Sequence, residues 1–121
     1  MKKLSPKEET VLNYFWKHGA MFVKELLDLL DEPKPHYNTV STIIRTLEEK
    51  GYIKYKSFGN SYQYYATVSE TDYRNKSLNQ VVDKYFGKSY KRVVSALIEE
   101  EKLSIEELQE LIKQVRDQSQ S

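Results

Sequence analysis

Residues 37–55, YNTVSTIIRTLEEKGYIKY, join a helical repeat to a strand-like segment through a single glycine, Gly51. In the helical part, apolar residues recur at the i, i+3, i+4, i+7 spacing that places them on one face of a helix. These residues are Val40, Ile43, Ile44 and Leu47. Gly51 is a typical helix end, and the aromatic and β-branched residues after it favour a strand. The segment therefore predicts an amphipathic helix from about Tyr37 to Lys50, followed at once by a strand.

The opposite face of this helix is polar and has few long charged side chains. On a helical wheel, Asn38, Thr42 and Arg45 lie opposite the apolar residues. Serine and threonine are mediocre helix formers, so several of them in one exposed helix are costly unless the face is used. Short polar side chains allow base edges to approach closely, and an arginine can donate two parallel hydrogen bonds to a guanine.

We therefore predict that this face enters the major groove of double-stranded DNA, with its N-terminal half nearest the bases. The predicted contact residues are Asn38, Thr39, Ser41, Thr42, Arg45 and Thr46. An ordinary solvated helix face is the alternative interpretation.

A β-hairpin is predicted after the helix, because two strand-like segments, residues 52–56 and 62–68, flank a cluster of turn residues. Lys54 and Lys56 share one face of the first strand, and Asn60 lies near the tip. These three residues are predicted to contact DNA phosphates, with solvated lysines as the alternative. The tyrosines of the hairpin are predicted to pack the sheet rather than to stack on bases. They are Tyr52, Tyr55, Tyr62, Tyr64 and Tyr65.

Two further helices are predicted before residue 37. Ser5, Pro6 and Glu8 combine an N-cap, a favoured first-turn proline and a capping box, and Gly19 ends this helix. A second helix spans about residues 23–30 and is broken by two prolines. Three helices followed by a hairpin is the order of elements in a winged helix-turn-helix.

Three more amphipathic helices are predicted in the remainder of the chain, which divides it into a DNA-binding domain (1–68) and a helical dimerisation domain (69–121). The fold class is therefore mainly α with a small β-hairpin. The second domain has roughly 50 residues and supports only a marginal core. Its wide apolar stripes are therefore predicted to pack against a second copy of the chain. The predicted dimerisation residues are Leu78, Val82, Tyr85, Phe86, Val94, Leu97, Ile98, Leu108, Leu111, Ile112 and Val115. A small bundle packed on the first lobe is the alternative.

The composition narrows the classes of function. The chain has 121 residues, a net charge of +1 and no cysteine, which fits a reducing cytoplasm and excludes thiolate metal sites. His18 and His36 lie in separate elements, and no catalytic or phosphate-binding motif is present, so we expect no enzyme activity, no metal and no cofactor. No segment is long and apolar enough to suggest membrane insertion or a secretory signal.

The sequence resembles the penicillinase-repressor family of winged-helix regulators over nearly its whole length. The resemblance rests on LSPKEETVLNYFWKHG, NTVSTIIRTLEEKGYI, YYATVS at the end of the hairpin, and YFGKS…LIEEEKLSIEELQELI. It implies a homodimeric repressor that binds a palindromic operator, and it assigns operator contacts to Asn38, Thr39 and Thr42. It also implies, for the inducible branch of the family, control by a membrane sensor-protease system that responds to β-lactam antibiotics.

The sequence departs from the family pattern at three places. The third helix begins with His36-Tyr37 instead of Ser-Pro, and Thr46 stands where relatives often carry an arginine, so the operator sequence need not transfer. Ala96-Leu97 replaces the Asn-Phe bond that is cleaved in the inducible branch. The copper-responsive branch uses C-terminal cysteines, which this chain lacks.

A winged helix that contacts a protein instead of DNA is the main alternative function. The sequence names neither the operator nor the regulated genes.

Overall fold

The structure, a computed structural model, describes residues 2–120 and the side chains of residues 2–118. The chain forms two compact units that divide between Arg74 and Asn75. The elements are α1 (Pro6–His18), β1 (Met21–Phe22), α2 (Val23–Leu29), α3 (Tyr37–Glu49), β2 (Ile53–Phe58), β3 (Ser61–Ala66), α4 (Glu70–Tyr85), α5 (Tyr90–Glu99) and α6 (Ile105–Gln120). The predicted fold class is confirmed: the protein is mainly α, and a winged helix-turn-helix precedes three further helices.

The start and end of α1 follow from the local sequence. The Glu8 amide donates to Ser5 Oγ at 3.3 Å, and the Ser5 amide donates to Glu8 Oε1 at 2.7 Å, so the predicted capping box is present. Gly19 has a φ of +81°, and its amide donates to the Phe15 carbonyl, which ends the helix. Both boundaries are as predicted.

The turn between α2 and α3 is stabilised by one lysine. Lys34 Nζ donates to the carbonyl oxygens of Leu27, Asp28 and Leu30 at 3.2, 3.0 and 2.7 Å. These carbonyls lie at the C-terminal end of α2, where helical hydrogen-bond partners are missing. The lysine therefore caps α2 and leads the chain into α3, which starts at Tyr37.

The sheet has three antiparallel strands in the order β1-β3-β2, where the sequence predicted two. The additional strand is Met21–Phe22, which pairs with Tyr64 and Gln63 of β3. The turn is also shorter than predicted, because β2 and β3 pair up to Phe58 and Ser61 and leave only two residues between them. Gly59 takes a φ of +61° in this turn, a conformation that glycine adopts without strain.

One hydrophobic core joins the helices and the sheet of this first unit. Its buried residues are Leu4, Val11, Leu12, Phe15, Met21, Leu26, Val40, Ile44, Leu47, Tyr52, Ile53 and Tyr64. The first turns of α4 belong to the same unit. The Trp16 indole N–H donates to the Val68 carbonyl at 2.8 Å, and the Tyr73 hydroxyl donates to Glu9 Oε1 at 2.6 Å.

The second unit contains the rest of α4 and both C-terminal helices. Ser89 accepts from the Arg92 amide, and Ser104 and Glu107 form a reciprocal capping box with two bonds of 3.0 Å, so both predicted helix starts are present. Among its described side chains, Val82 is the only buried hydrophobic one. Val82 therefore departs from our expectation of an open dimerisation residue, because its own chain already covers it completely.

Candidate nucleic-acid interface

The two faces of α3 differ sharply in exposure. Val40, Ile44 and Leu47 are at most 1% exposed and form part of the core, while Ile43 is half-buried. On the other side, four of the predicted contact residues are exposed and two are half-buried. The exposed ones are Asn38, Thr39, Thr42 and Arg45, and the half-buried ones are Ser41 and Thr46. The fold therefore brings all six to one accessible surface.

Two threonines on this surface bind their own helix. Thr42 Oγ1 donates to the Asn38 carbonyl at 2.9 Å, and Thr46 Oγ1 donates to the Thr42 carbonyl at 3.0 Å. This back-bonding is a common way for threonine to be accommodated in a helix. Because the hydroxyl protons are used internally, these oxygens remain acceptors for an external donor, and the methyl groups are suited to contact a thymine methyl.

Arg45 supplies the positive charge of this surface. Within the part of the chain that the structure describes, no hydrogen bond or ion pair engages its guanidinium. Burial raises the pKa of Tyr64 and the Glu48 carboxylate raises it further, whereas the Arg45 charge opposes this change. Arg45 thus lies near the wing and is available to bind an external acceptor.

The predicted wing residues lie on the hairpin as expected. Lys54 and Lys56 are exposed on the same face of β2, opposite Tyr65 and Gln63, and Asn60 is exposed in the turn. The hairpin therefore presents two cations on one face and an amide at its tip.

The five hairpin tyrosines, which were predicted to pack the sheet, differ in how deeply they are buried. Tyr52 and Tyr64 are buried, but Tyr55 and Tyr62 are 40% and 47% exposed. The strand register places Tyr55, Tyr62 and Tyr64 on the same face as the buried Ile53. The hairpin extends beyond the core beneath it, so residues nearer the turn lose their cover. Tyr55 nevertheless packs across the strands on Tyr62 and Tyr64, with ring centroids 4.3 and 5.6 Å apart, which agrees with the predicted packing of the sheet.

A groove of about 620 Å³ lies beside α3, between this helix, the start of α2 and the wing. The sequence pattern predicted neither this groove nor a functional role for Tyr37. Tyr37, Ser41 and Arg45 line the groove at an i, i+4, i+8 spacing, which would have placed them on one edge of the helix. The wing residues that complete the groove are distant in sequence, so no local pattern reveals it.

No group of three or more potential metal ligands occurs among the described residues. None of the described helices has the length and apolar character that a membrane crossing requires.

A winged helix whose third helix leaves a polar face uncovered defines a DNA-binding transcriptional regulator of the winged-helix class. The chain belongs to the penicillinase repressor family, whose profile matches residues 4–117. The protein is therefore a transcriptional repressor and not an enzyme.

Similar proteins include the methicillin resistance regulatory protein MecI of Staphylococcus aureus (strain N315). It is 27% identical over 110 residues, which cover 90% of this chain and 89% of MecI. The penicillinase repressor of Staphylococcus aureus is 26% identical over 110 residues, which cover 90% and 87% of the two chains.

Solved structures with a related arrangement include FabT of Streptococcus pneumoniae in complex with DNA. The TM-score is 0.49 at 21% identity, over 98% of this chain and 76% of FabT. NMB1585, a MarR family regulator from Neisseria meningitidis, gives 0.46 at 18% identity, over 96% and 81% of the two chains.

Proposed function

We propose that the protein acts as a homodimer that represses transcription by binding a palindromic operator, with one α3 helix in the major groove of each half-site. The observation that carries this proposal is the uncovered polar face of α3, on which the Arg45 guanidinium finds no partner in the described part of the chain. A charged group held at a helix surface without an internal partner suits an external acceptor such as a guanine edge.

Two kinds of DNA contact follow from this placement. The α3 face would read base edges, and the wing would bind the backbone through positive and polar side chains. The proposed base-reading residues are Asn38, Thr39, Ser41, Thr42, Arg45 and Thr46, and the proposed phosphate contacts are Lys54, Lys56 and Asn60. We assign these contacts to a DNA-binding domain of residues 1–68.

Residues 69–121 are proposed to form the dimerisation domain, because the helices expose the apolar side chains that a stable core would bury. Tyr85 is 67% exposed, Leu111 49% and Ile112 44%, and no described residue of α5 or α6 is buried. A second copy would cover this surface, and a twofold axis would match a palindromic operator. The proposed dimerisation residues are Leu78, Tyr85, Phe86, Val94, Leu97, Ile98, Leu108, Leu111, Ile112 and Val115.

The alternative function is that the winged helix binds another protein. Titrating the protein with duplex DNA from the region upstream of its own gene distinguishes the two functions. A DNA-binding repressor should bind this duplex specifically, and its affinity should fall steeply with salt because phosphate contacts release counterions. Footprinting should reveal two half-sites with a centre-to-centre spacing near a multiple of about 10–10.5 base pairs. Absence of binding at low ionic strength would favour the protein-contact alternative.

Regulation by proteolysis stays a prediction of the family resemblance. The Ala96-Leu97 bond lies within α5, where the Ala96 carbonyl accepts from the Glu100 amide at 2.9 Å. Cleavage there by a membrane sensor-protease system would need local unwinding of this helix.

Arg45→Ala is expected to weaken operator binding by about 1–3 kcal/mol and to relax the preference for one base pair in each half-site. The reason is that the polar face of α3 loses a side chain that can donate two hydrogen bonds to a base. Fluorescence anisotropy against the operator and a set of single-base variants measures both effects.

Arg74→Ala is the matched control for this prediction. Arg74 is equally cationic, forms an exposed ion pair with Glu70 on α4, and is not among the proposed DNA contacts. If Arg45→Ala left the order of preferred bases unchanged, Arg45 would be excluded from base reading.

A further inference from the structure

We infer that the groove beside α3 holds one sugar–phosphate strand of the DNA, and that the hydroxyls of Tyr37 and Tyr62 position the strand by donating hydrogen bonds to its phosphates. This inference rests on the proposed function and deepens it, because it assigns backbone contacts to two tyrosines beside the base-reading residues Ser41 and Arg45, which border the same groove. Neither tyrosine belongs to the predicted set of DNA contacts.

The position of the groove follows from the two DNA-contacting elements. If α3 occupies the major groove and the wing follows the backbone alongside it, one strand must pass between them. The groove occupies this space: Tyr37, Ser41 and Arg45 form the wall on α3. Asn60, Ser61 and Tyr62 form the wall on the wing. Five of these six side chains carry a neutral hydroxyl or amide group, and the sixth is a cation.

The two tyrosines are suited to donate to phosphate oxygens. Tyr37 is 53% exposed and Tyr62 is 47% exposed, and no hydrogen bond engages either hydroxyl within the described residues. The ring of Tyr62 is held by Tyr55, with centroids 4.3 Å apart. Tyr37 is the first residue of α3, so its backbone is fixed by the helix. The Tyr62 ring is therefore held in place before DNA arrives, which lowers the entropic cost of its contact.

Two acidic residues of α2, Glu25 and Asp28, line the groove together with Lys24 of the same helix, and the acids provide a test of the charge of its occupant. Glu25 Oε1 accepts from the Phe22 amide at 3.0 Å, so this carboxylate already has a structural partner. No hydrogen bond or ion pair engages the Asp28 carboxylate in the described part of the chain. A phosphodiester strand in the groove would be repelled by Asp28, whereas a cationic small molecule would be attracted by it.

The first experiment compares Tyr37→Phe, Tyr62→Phe and the double variant with the unmodified protein in operator titrations. Each single change removes one hydroxyl and is expected to weaken binding about three- to tenfold, because one solvent-exposed hydrogen bond is lost. The loss should be equal for operator and unrelated duplexes, since phosphates carry no sequence information. The slope of affinity against salt should not change, because a neutral phenol releases no counterion.

Tyr14→Phe is the matched control, because Tyr14 lies in α1, does not line the groove and belongs to none of the proposed DNA contacts. This control variant also loses one hydroxyl, but its affinity for the operator should be unchanged. Phosphate ethylation interference gives an independent readout. Ethylation of the phosphate that Tyr62 contacts should weaken DNA binding by the unmodified protein and should not weaken DNA binding by Tyr62→Phe any further.

The second experiment is the pair Asp28→Asn and Asp31→Asn. Asp28→Asn should tighten binding about two- to fivefold at low salt, because a negative charge beside the strand is removed. Asp31→Asn removes an exposed acid that does not line the groove and should have little effect.

The outcomes separate this inference from the proposed function. If Arg45→Ala weakens binding while both tyrosine variants bind as tightly as the unmodified protein, the tyrosine contacts with phosphate are excluded and the repressor proposal stands. If Asp28→Asn weakens binding, the groove does not hold a phosphate strand. If neither Arg45→Ala nor the tyrosine variants alter DNA binding, the proposed function itself fails.

Discussion

Leu111→Glu is expected to convert the protein from a dimer to a monomer and to weaken operator binding by about a hundredfold or more. Leu111 is 49% exposed in the single chain, so a glutamate there costs the isolated unit little. In a dimer, the same carboxylate would be buried in an apolar interface without a partner. Operator affinity should fall because two half-sites are no longer bound by one linked pair of α3 helices.

Sedimentation equilibrium measures the mass change directly, from twice the 14.3 kDa of one chain to the mass of a single chain. Gln109→Glu is the matched control, because it adds the same charge to an exposed polar position of α6 two residues away. The control should remain dimeric and should bind the operator normally. A Leu111→Glu variant that stays dimeric would remove α6 from the interface, and a monomer with full operator affinity would contradict the dimeric mode of binding.

Local signals account for the part of the fold that the sequence predicts well. The Ser5–Glu8 capping box, the end of α1 at Gly19 and the change of period at Gly51 each depend on residues within one helical turn. The buried face of α3 was predicted by its spacing, and Val40, Ile44 and Leu47 are buried. The exposure of the predicted DNA-contact residues on α3 follows from the same periodicity.

Features that depend on distant partners were not predicted. The two residues of β1 carry no strand signal of their own, and they form a strand because β3 supplies the hydrogen bonds. The exposure of Tyr62 depends on how far the core extends under the sheet, which spacing within the hairpin does not reveal. Tyr37 and Tyr62, on opposite walls of the groove beside α3, are 25 residues apart in sequence, so only the folded chain brings them together.

The ion pair between Glu8 and Lys50 is another such feature, and it joins the start of α1 to the residue that ends α3. Lys50 Nζ lies 2.8 and 2.9 Å from the two carboxylate oxygens of Glu8, and it also donates to the Lys3 carbonyl at 3.0 Å. Glu8 is 6% exposed. Burial by itself raises the pKa of Glu8, but hydrogen bonds from Lys50 and Ser5 outweigh this effect and hold the pKa below its ordinary value.

Lys50→Met is expected to lower the free energy of unfolding at neutral pH by about 2–4 kcal/mol, because it leaves a buried carboxylate without its cation. We place the effect below that of a fully buried pair, since the lysine side chain keeps 22% of its exposure. Urea denaturation followed by circular dichroism measures the change. Arg74→Met, which breaks the exposed ion pair with Glu70, is the control and should cost less than about 1 kcal/mol.

The pH dependence distinguishes loss of the ion pair from loss of packing. In the unmodified protein the depressed pKa of Glu8 contributes stability above its ordinary value of 4.5, and this contribution is lost as the pH falls through the folded-state pKa. In Lys50→Met the Glu8 carboxylate is buried without the lysine. Protonation of Glu8 removes the free-energy cost of burying this unpaired charge. The difference in stability between the two proteins should therefore shrink as the pH falls from 7 towards 4. The double variant Glu8→Gln/Lys50→Met should recover part of the loss. A difference that stays constant across this pH range would show that Lys50 stabilises the fold through its aliphatic contacts and not through the Glu8 carboxylate.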